Sequence, residues 1–283
     1  MPRSRSLARA ASAVAALFVL LSLPGAASPA VAQHPYRILV TNDDGFRAPG
    51  LAALVTALAP LGELTIVAPA ENQSGIGQAL TLFEPIYADT VSVAGHPATS
   101  LAATPASCVR VALAKLMSQP PDLVVSGVNR GSNFGLNAYI SGTVGAAREA
   151  AIEGIPAIAA ALDNAGHPNY GPAAEATARI AAIVKAGGLP RRVFLNVNVP
   201  AGPAERLKGI RFARQSTQMG TERYDEQHTP YGRRLFWSFF VQPEGAEPGT
   251  DVAAALDGYV SVTPLIASEF DEKDFDALGA RFR

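Results

Sequence analysis

The sequence predicts an α/β fold in which a mostly parallel sheet carries helices on both faces. Three observations lead there. Short continuous apolar runs recur from Ile38 to Val197, stretches with helical spacing separate them, and several runs empty into polar, glycine-bearing loops. Ligands of such open sheets bind just beyond the carboxyl ends of the strands, so these loops are where chemistry is expected.

Ile38-Leu39-Val40-Thr41 reads as the first strand, and it ends at Asn42-Asp43-Asp44-Gly45. Asp-Gly between apolar runs is by itself a hairpin signal. Here Pro49, suited to a first helical turn, precedes Leu51, Leu54, Val55 and Leu58 at helical spacing, so the order is strand, acidic loop, helix. Glu63 to Ala68 forms a second strand that stops at Pro69, and the polar loop 70–77 follows, with Ser74 in it. Val91 to Val93 reads as a short strand, with Gly95-His96-Pro97 as a turn. Thr104-Pro105 supplies an N-cap and first residue for a helix to about Met117.

Asp122 to Val125 is a short buried strand, and the loop 126–135 follows it with Asn129 and Asn133 among its glycines. Ser141-Gly142-Thr143 starts an alanine-rich helix to about Glu153. Pro156 to Ala160 is a strand, Pro172 to Ala186 a helix, and Val193 to Val197 a strand. Past Pro200 the character changes. Residues 210–213, 235–240 and 259–262 are strand-like, while 215–234 is polar and suits a protruding hairpin or an arm gripping a second subunit. Trp237 is expected in the core or at a subunit contact rather than as a ligand platform. The expected organisation is a catalytic core over 33–200 and a β-rich oligomerisation arm over 201–283, whose terminal segment returns to the core.

With 48% hydrophobic and 17% charged residues and a net charge of -1, a sizeable core is possible. No basic excess is present to hold a nucleic-acid polymer by its phosphates. Arg3, Arg5 and Arg9 precede an apolar stretch from Ala13 to Leu23, and Ala30-Val31-Ala32 fits a small-residue cleavage site. This describes a secretory signal peptide over 1–32, too short in its apolar centre to span comfortably. The mature chain then begins near Gln33, works outside the cytoplasm, in the periplasm or beyond, and keeps no membrane segment. Cys108 is the single cysteine, which excludes an intrachain disulfide and thiolate metal sites; its apolar company points to core packing. His34, His96, His167 and His228 are scattered without metal-ligand spacing and are expected in surface or structural roles.

Asp43 and Asp44 place two carboxylates side by side, where a divalent cation is the commonest means of keeping both ionised. Ser74 and Asn129 follow two other strands at the same expected edge. Carboxylate, hydroxyl and amide oxygens are hard ligands, suited to Mg²⁺, Mn²⁺ or Ca²⁺. Asn133, with the helix start Ser141-Gly142-Thr143, offers hydroxyl, amide and backbone N–H donors to a phosphate. The loop is neither a Walker motif nor a dinucleotide fingerprint.

Taken in order, several segments resemble the survival protein E (SurE) family of metal-dependent 5′/3′-nucleotidases, also described as acid phosphatases. They are Ile38 to Gly45 with Ala48-Pro49-Gly50, Val67-Ala68-Pro69 leading to Gln73-Ser74-Gly75, Thr104-Pro105, Ser126 to Asn129 with Gly131 and Asn133, Ser141 to Ala147, Gly249-Thr250-Asp251, and Gly258 to Leu265. The resemblance implies a Rossmann-like core and one divalent metal per subunit, Mg²⁺ or Mn²⁺, on Asp43, Asp44, Ser74 and Asn129. It further implies a nucleoside monophosphate or other small phosphomonoester as substrate, and a homodimer or homotetramer that exchanges C-terminal arms. Family members are mostly cytoplasmic, the alternative to export. Ser107 stands where the family usually has an acid, Ile140 where a tyrosine is common, Ala150 where a glycine is usual, and an acidic-Leu-Thr segment is missing after Pro264-Leu265.

The expected chemistry is transfer of a phosphoryl group to water, with Asp43, Asp44 and Asn133 as the catalytic set and Asn133, Ser141, Gly142 and Thr143 around the phosphate. Direct attack by Asp43 or Asp44 is the alternative. Adjacency of the pair favours water, because aspartate-nucleophile phosphatases separate theirs by one residue. A secreted module that holds a nucleotide or sugar phosphate without turnover is the reading from another class.

Overall fold

A computed structural model describes residues 34–163, 168–218, 220–241, 245–271 and 274–282. The expected signal peptide, residues 1–32, and His167 lie outside the described residues. Strands β1 (Arg37–Thr41), β2 (Glu63–Pro69), β3 (Ala88–Val93), β4 (His96–Leu101), β5 (Leu123–Arg130), β6 (Ala157–Leu162), β7 (Val193–Val199), β8 (Ile210–Phe212) and β11 (Val260–Ile266) form one sheet. Its order is β3-β4-β2-β1-β5-β6-β7-β11-β8. β4, β2, β1, β5, β6 and β7 run parallel; β3 and β11 are antiparallel to their neighbours β4 and β7, and β8 follows β11. The sheet is thus mostly parallel and mixed at both edges, with the antiparallel strands of the C-terminal region on one of them.

Alternation along β1 shows why helices must cover both faces. Ile38 and Val40 pack with Leu51, Leu54, Val55 and Leu58 of helix α1 (Pro49–Leu58) and with Ile180 and Val184 of α4 (Gly171–Gly187). Leu39, between them, packs on the other side with Cys108 and Val109 of α2 (Pro105–Val111) and Val144 and Ala147 of α3 (Gly142–Ile152). Successive strand side chains point to opposite faces, so each face needs its own helical layer. Cys108 is fully buried, and burial pushes its thiol up to about 12, which leaves it a packing residue.

Several boundaries differ from the sequence reading. The expected turn at Gly95-His96-Pro97 begins β4 instead; the chain reverses at Ala94-Gly95, both at positive φ, and Val93 pairs with His96. Pro97 precedes the stretch Thr99 to Leu101 that pairs with β2, so its missing N–H costs no bond on that side. The helix from Pro105 continues past Val111 as one π turn over Ala112–Leu116. β5 extends through Arg130 rather than stopping at Val125, and its register against β6 shifts between Ser126 and Asn129. Asn129 therefore stands on an irregular strand end.

β9 (Thr221–His228) and β10 (Arg234–Val241) make a separate antiparallel hairpin in which every β9 residue is exposed. Trp237 is 57% exposed, which corrects the core half of its expected placement: the hairpin has no second layer among the described residues to bury it. Helices α5 (Asp251–Leu256) and α6 (Phe275–Gly279) complete the chain. Among the described residues, no helix is long and apolar enough to cross a membrane.

Candidate metal and phosphate site

The order of strands reverses between β1 and β5. From β1 the chain moves outward to β2 and β4, then crosses back to β5 and proceeds through β6 and β7 on the other side. Such a reversal opens a crevice at the carboxyl ends of the two central strands. Asp43 and Asp44 leave β1 there, and β5 ends at Asn129-Arg130, where the N–H of Arg130 meets Asp44.

Hydrogen bonds tie the three loops together. Asn42 Nδ2 donates to Gly45 O (2.9 Å), closing the acidic turn, and Gly45 takes a φ of +94° that favours glycine. Gln73 N donates to Asp43 O (2.7 Å), which pins the exposed turn carrying Ser74 against the acidic loop. Asp44 joins all three: its Oδ1 accepts from Asn72 Nδ2 (3.2 Å) and its Oδ2 from Arg130 N (3.0 Å). Helix α3 closes the fourth side. Ser141 caps it, accepting from Val144 N (3.1 Å), and Thr143 Oγ1 donates a short hydrogen bond to Asp43 Oδ1. A Cβ on Gly142 would lie 2.8 Å from Asp43 Cβ, so only glycine lets the helix start approach this closely.

Asp43 is 2% exposed, and burial raises its carboxyl pKa to about 6; the Thr143 hydrogen bond opposes that rise and the Asp44 charge adds to it. Asp44 is also raised, chiefly by burial, against the opposing Arg130 and Asn72 contacts. Among the described residues, no cationic side chain is among the causes that shift Asp43. Two neighbouring carboxylates that both resist ionisation are what a bound cation relieves. Among the described residues no group of three or more His, Cys, Asp or Glu could hold a metal. A cation here would take its other protein ligands from neutral oxygens, which Ser74 and Asn129 carry. That all-oxygen set fits a hard divalent ion.

Asn129 Nδ2 donates to Gly131 O (2.8 Å) and to Asn133 Oδ1 (3.5 Å), leaving its Oδ1 to ligate. Asn133 is 6% exposed, and its Nδ2 is buried without a partner among the described residues. Thr143, expected around the phosphate, spends its hydroxyl proton on Asp43 in this structure. Hydrogen bonds or close contact join Asp43 to Gly142 and Thr143, and Asn129 to Asn133; the two groups meet where Asp44 accepts from the N–H of Arg130, the neighbour of Asn129. Ser74 and Ser141 are one residue from the linked positions Gln73 and Gly142.

Sequence reasoning missed the groups that hold Asn133. Its N–H donates to Asn198 Oδ1 (2.7 Å) and its carbonyl accepts from Asn196 Nδ2 (2.8 Å), both from β7. Asp251, fully buried, accepts from Gly135 N (2.8 Å), Ser216 N (3.0 Å) and Val252 N (2.9 Å), anchoring the far end of the same loop. The signal was there: two asparagines two residues apart in an apolar strand share a face and must be bonded inside.

The survival protein SurE family matches residues 38–222. The 5′-nucleotidase SurE of Syntrophobacter fumaroxidans is 42% identical over 247 residues, covering 86% of this chain and 98% of that protein. The 5′-nucleotidase SurE of Thermosynechococcus vestitus is 41% identical over 238 residues, covering 81% and 90%. Among solved structures, the SurE protein from Aquifex aeolicus superposes with a TM-score of 0.77 at 36% identity, over 87% of this chain and 100% of that one.

Proposed function

The chain belongs to the survival protein SurE family, and we propose that it is a divalent-metal-dependent phosphomonoesterase that releases phosphate from nucleoside 5′-monophosphates. One observation carries the reading: the buried Asp43 carboxylate lies beside Asp44 at the switch point, and burial, not a cationic side chain of the described residues, dominates its titration. The names of the relatives favour 5′-nucleotides over 3′-nucleotides and general phosphomonoesters, which are the alternatives.

Asp43, Asp44, Ser74 and Asn129 would hold one Mg²⁺ or Mn²⁺. Such an ion supplies charge neutralisation, polarisation of the phosphoryl group and activation of water. Thr143 keeps Asp43 oriented and favours its ionised form. Asn133 Nδ2, a donor without a partner among the described residues, would donate to a phosphate oxygen as charge shifts to the leaving ribose hydroxyl, and Ser141 Oγ–H would add a second bond. Water is the nucleophile, because both aspartates are engaged by other groups: Asp43 by Thr143, and Asp44 by Asn72 and Arg130.

Phosphate release from AMP with Mn²⁺, its suppression by EDTA, and a panel of 5′- and 3′-nucleotides and p-nitrophenyl phosphate test this. Binding of AMP without release under any divalent metal would leave a binding module and remove the enzyme.

The exposed β9–β10 hairpin presents Tyr224, Phe236, Trp237 and Phe239 to solvent, and we place a second copy of the chain against it in a homodimer or homotetramer. Light scattering on a variant lacking 221–241 tests that, with a fall in mass expected. Export rests on the basic, apolar and small-residue succession of residues 3–32. Recovery of a chain beginning at Gln33 from a periplasmic fraction is the expected result; an uncleaved cytoplasmic chain overturns it.

A further inference from the structure

A cavity of about 560 Å³ lies between α3 and the end of β11, lined by Tyr139, Arg148, Gln215, Leu265, Ser268 and Phe270 among others. None of Asp43, Asp44, Ser74, Asn129 and Asn133 lines it. Its volume falls within the range of small-molecule sites. Its unusual feature is Arg148, which is 7% exposed.

Arg148 has no counterion in an ion pair among the described residues, and its Nε is buried without a hydrogen-bond partner. The adjacent Glu149 does not neutralise it, because Glu149 Oε1 accepts from Arg110 Nε and Oε2 from Gln78 Nε2. Two ring faces attend the guanidinium: Tyr139 at 5.2 Å and Phe194 at 5.8 Å from centroid to Cζ. Aromatic faces stabilise a cation only in part, and a buried guanidinium with an idle N–H is a fork prepared for a planar or tetrahedral oxyanion. Around it, Leu265, Phe270 and Tyr139 offer apolar and aromatic surface, while Ser268 and Gln215 supply polar groups at the wall.

We propose that this cavity is a second ligand site, separate from the carboxylate pair, which binds a small aromatic oxyanion, phosphate or carboxylate, through the Arg148 guanidinium. The aromatic body lies against Tyr139 and Phe270. Glu269, exposed on the same wall, repels the anion and limits its affinity. The site does not depend on the proposed hydrolytic activity.

Calorimetric titration of the EDTA-treated full chain with phenylphosphonate, which cannot be hydrolysed, and with benzoate tests the site; benzyl alcohol is the neutral control. Wild type binds at least one anion, Arg148→Met weakens that binding ten-fold or more, and Arg148→Lys retains part of it. The alcohol shows no dependence on residue 148. Whichever anion depends on Arg148 identifies the source as phosphate or carboxylate. Arg148→Met melts no lower than wild type, since a buried cation without a counterion is lost. Glu269→Gln, on the rim and away from the core, tightens the anion several-fold. Equal anion affinity in wild type, Arg148→Met and Arg148→Lys overturns the proposal, as does unchanged affinity in Glu269→Gln or a crystal structure in which a partner subunit fills the cavity.

Discussion

The Thr143 hydroxyl donates to Asp43 Oδ1 across 100 residues of sequence, joining the start of α3 to the loop after β1. The bond favours the ionised carboxylate, against the burial that disfavours it. Removing it in Thr143→Val should raise the Asp43 pKa further and weaken Mn²⁺ binding at pH 7 by about ten-fold or more, the worth of a hydrogen bond to a charged group. Thr143→Ser should keep most of the affinity. Calorimetric Mn²⁺ titration decides, and equal affinities in all three proteins would remove the role given to Thr143.

Asp43 also sets a pH dependence. Burial lifts its pKa from 3.8 to about 6, so between those values the folded chain holds a proton that the unfolded chain has released. Metal-free stability should therefore be highest below about pH 4, as far as this group goes. It should fall as pH rises towards 6, by on the order of 3 kcal/mol in total. Asp43→Asn removes the slope, and in EDTA at pH 7.5 the variant should melt above wild type while losing phosphatase activity. Scanning calorimetry at pH 4.5 and 7.5 checks this; a variant that melts lower at the higher pH contradicts it.

Gly142→Ala tests the close approach of helix and acid. Its Cβ would meet Asp43 Cβ at 2.8 Å, with Gln73 O at 3.2 Å, so the helix start or the acidic loop must move. A displacement of this kind costs roughly 1–3 kcal/mol of stability. Activity should fall by more than the folded fraction accounts for, because the carboxylate that moves is a proposed ligand. Full specific activity in a folded variant would be the contrary result.

Asn198→Ala leaves Asn133 N–H buried without its acceptor, at a cost of about 1–3 kcal/mol. The loop that carries Asn133 should loosen and KM for AMP should rise, with Mn²⁺ affinity changing less. An unchanged KM would sever β7 from the site.

Much of this was legible in the chain. Helical spacing after Pro49, the Thr104 and Ser141 caps and the apolar runs gave helices and strands near where they lie, because caps and periodicity are local signals. β4 was missed because Pro97 reads as a strand breaker, and only the position of its partner strand makes it harmless. The extension of β5 to Arg130 was hidden by Gly127 and Gly131, which look like loop residues until the pairing with β6 is known. Asp43, Asp44 and Asn129 were visible as chemistry at strand ends. Which partner each meets was not: Thr143 reaches Asp43, Asn198 reaches Asn133 and Asp251 reaches Gly135 across long sequence separations, and a local pattern such as the paired asparagines of β7 shows only that a buried partner is needed.

The central claim is that Asp43, Asp44, Ser74 and Asn129 converge on one hard cation. Anomalous diffraction from manganese-soaked crystals, collected at the manganese edge, measures it most directly. The account predicts a single peak per subunit within coordination distance of oxygens from all four residues. Fully soaked crystals with no peak between the two aspartates, or a peak ligated elsewhere, would contradict it.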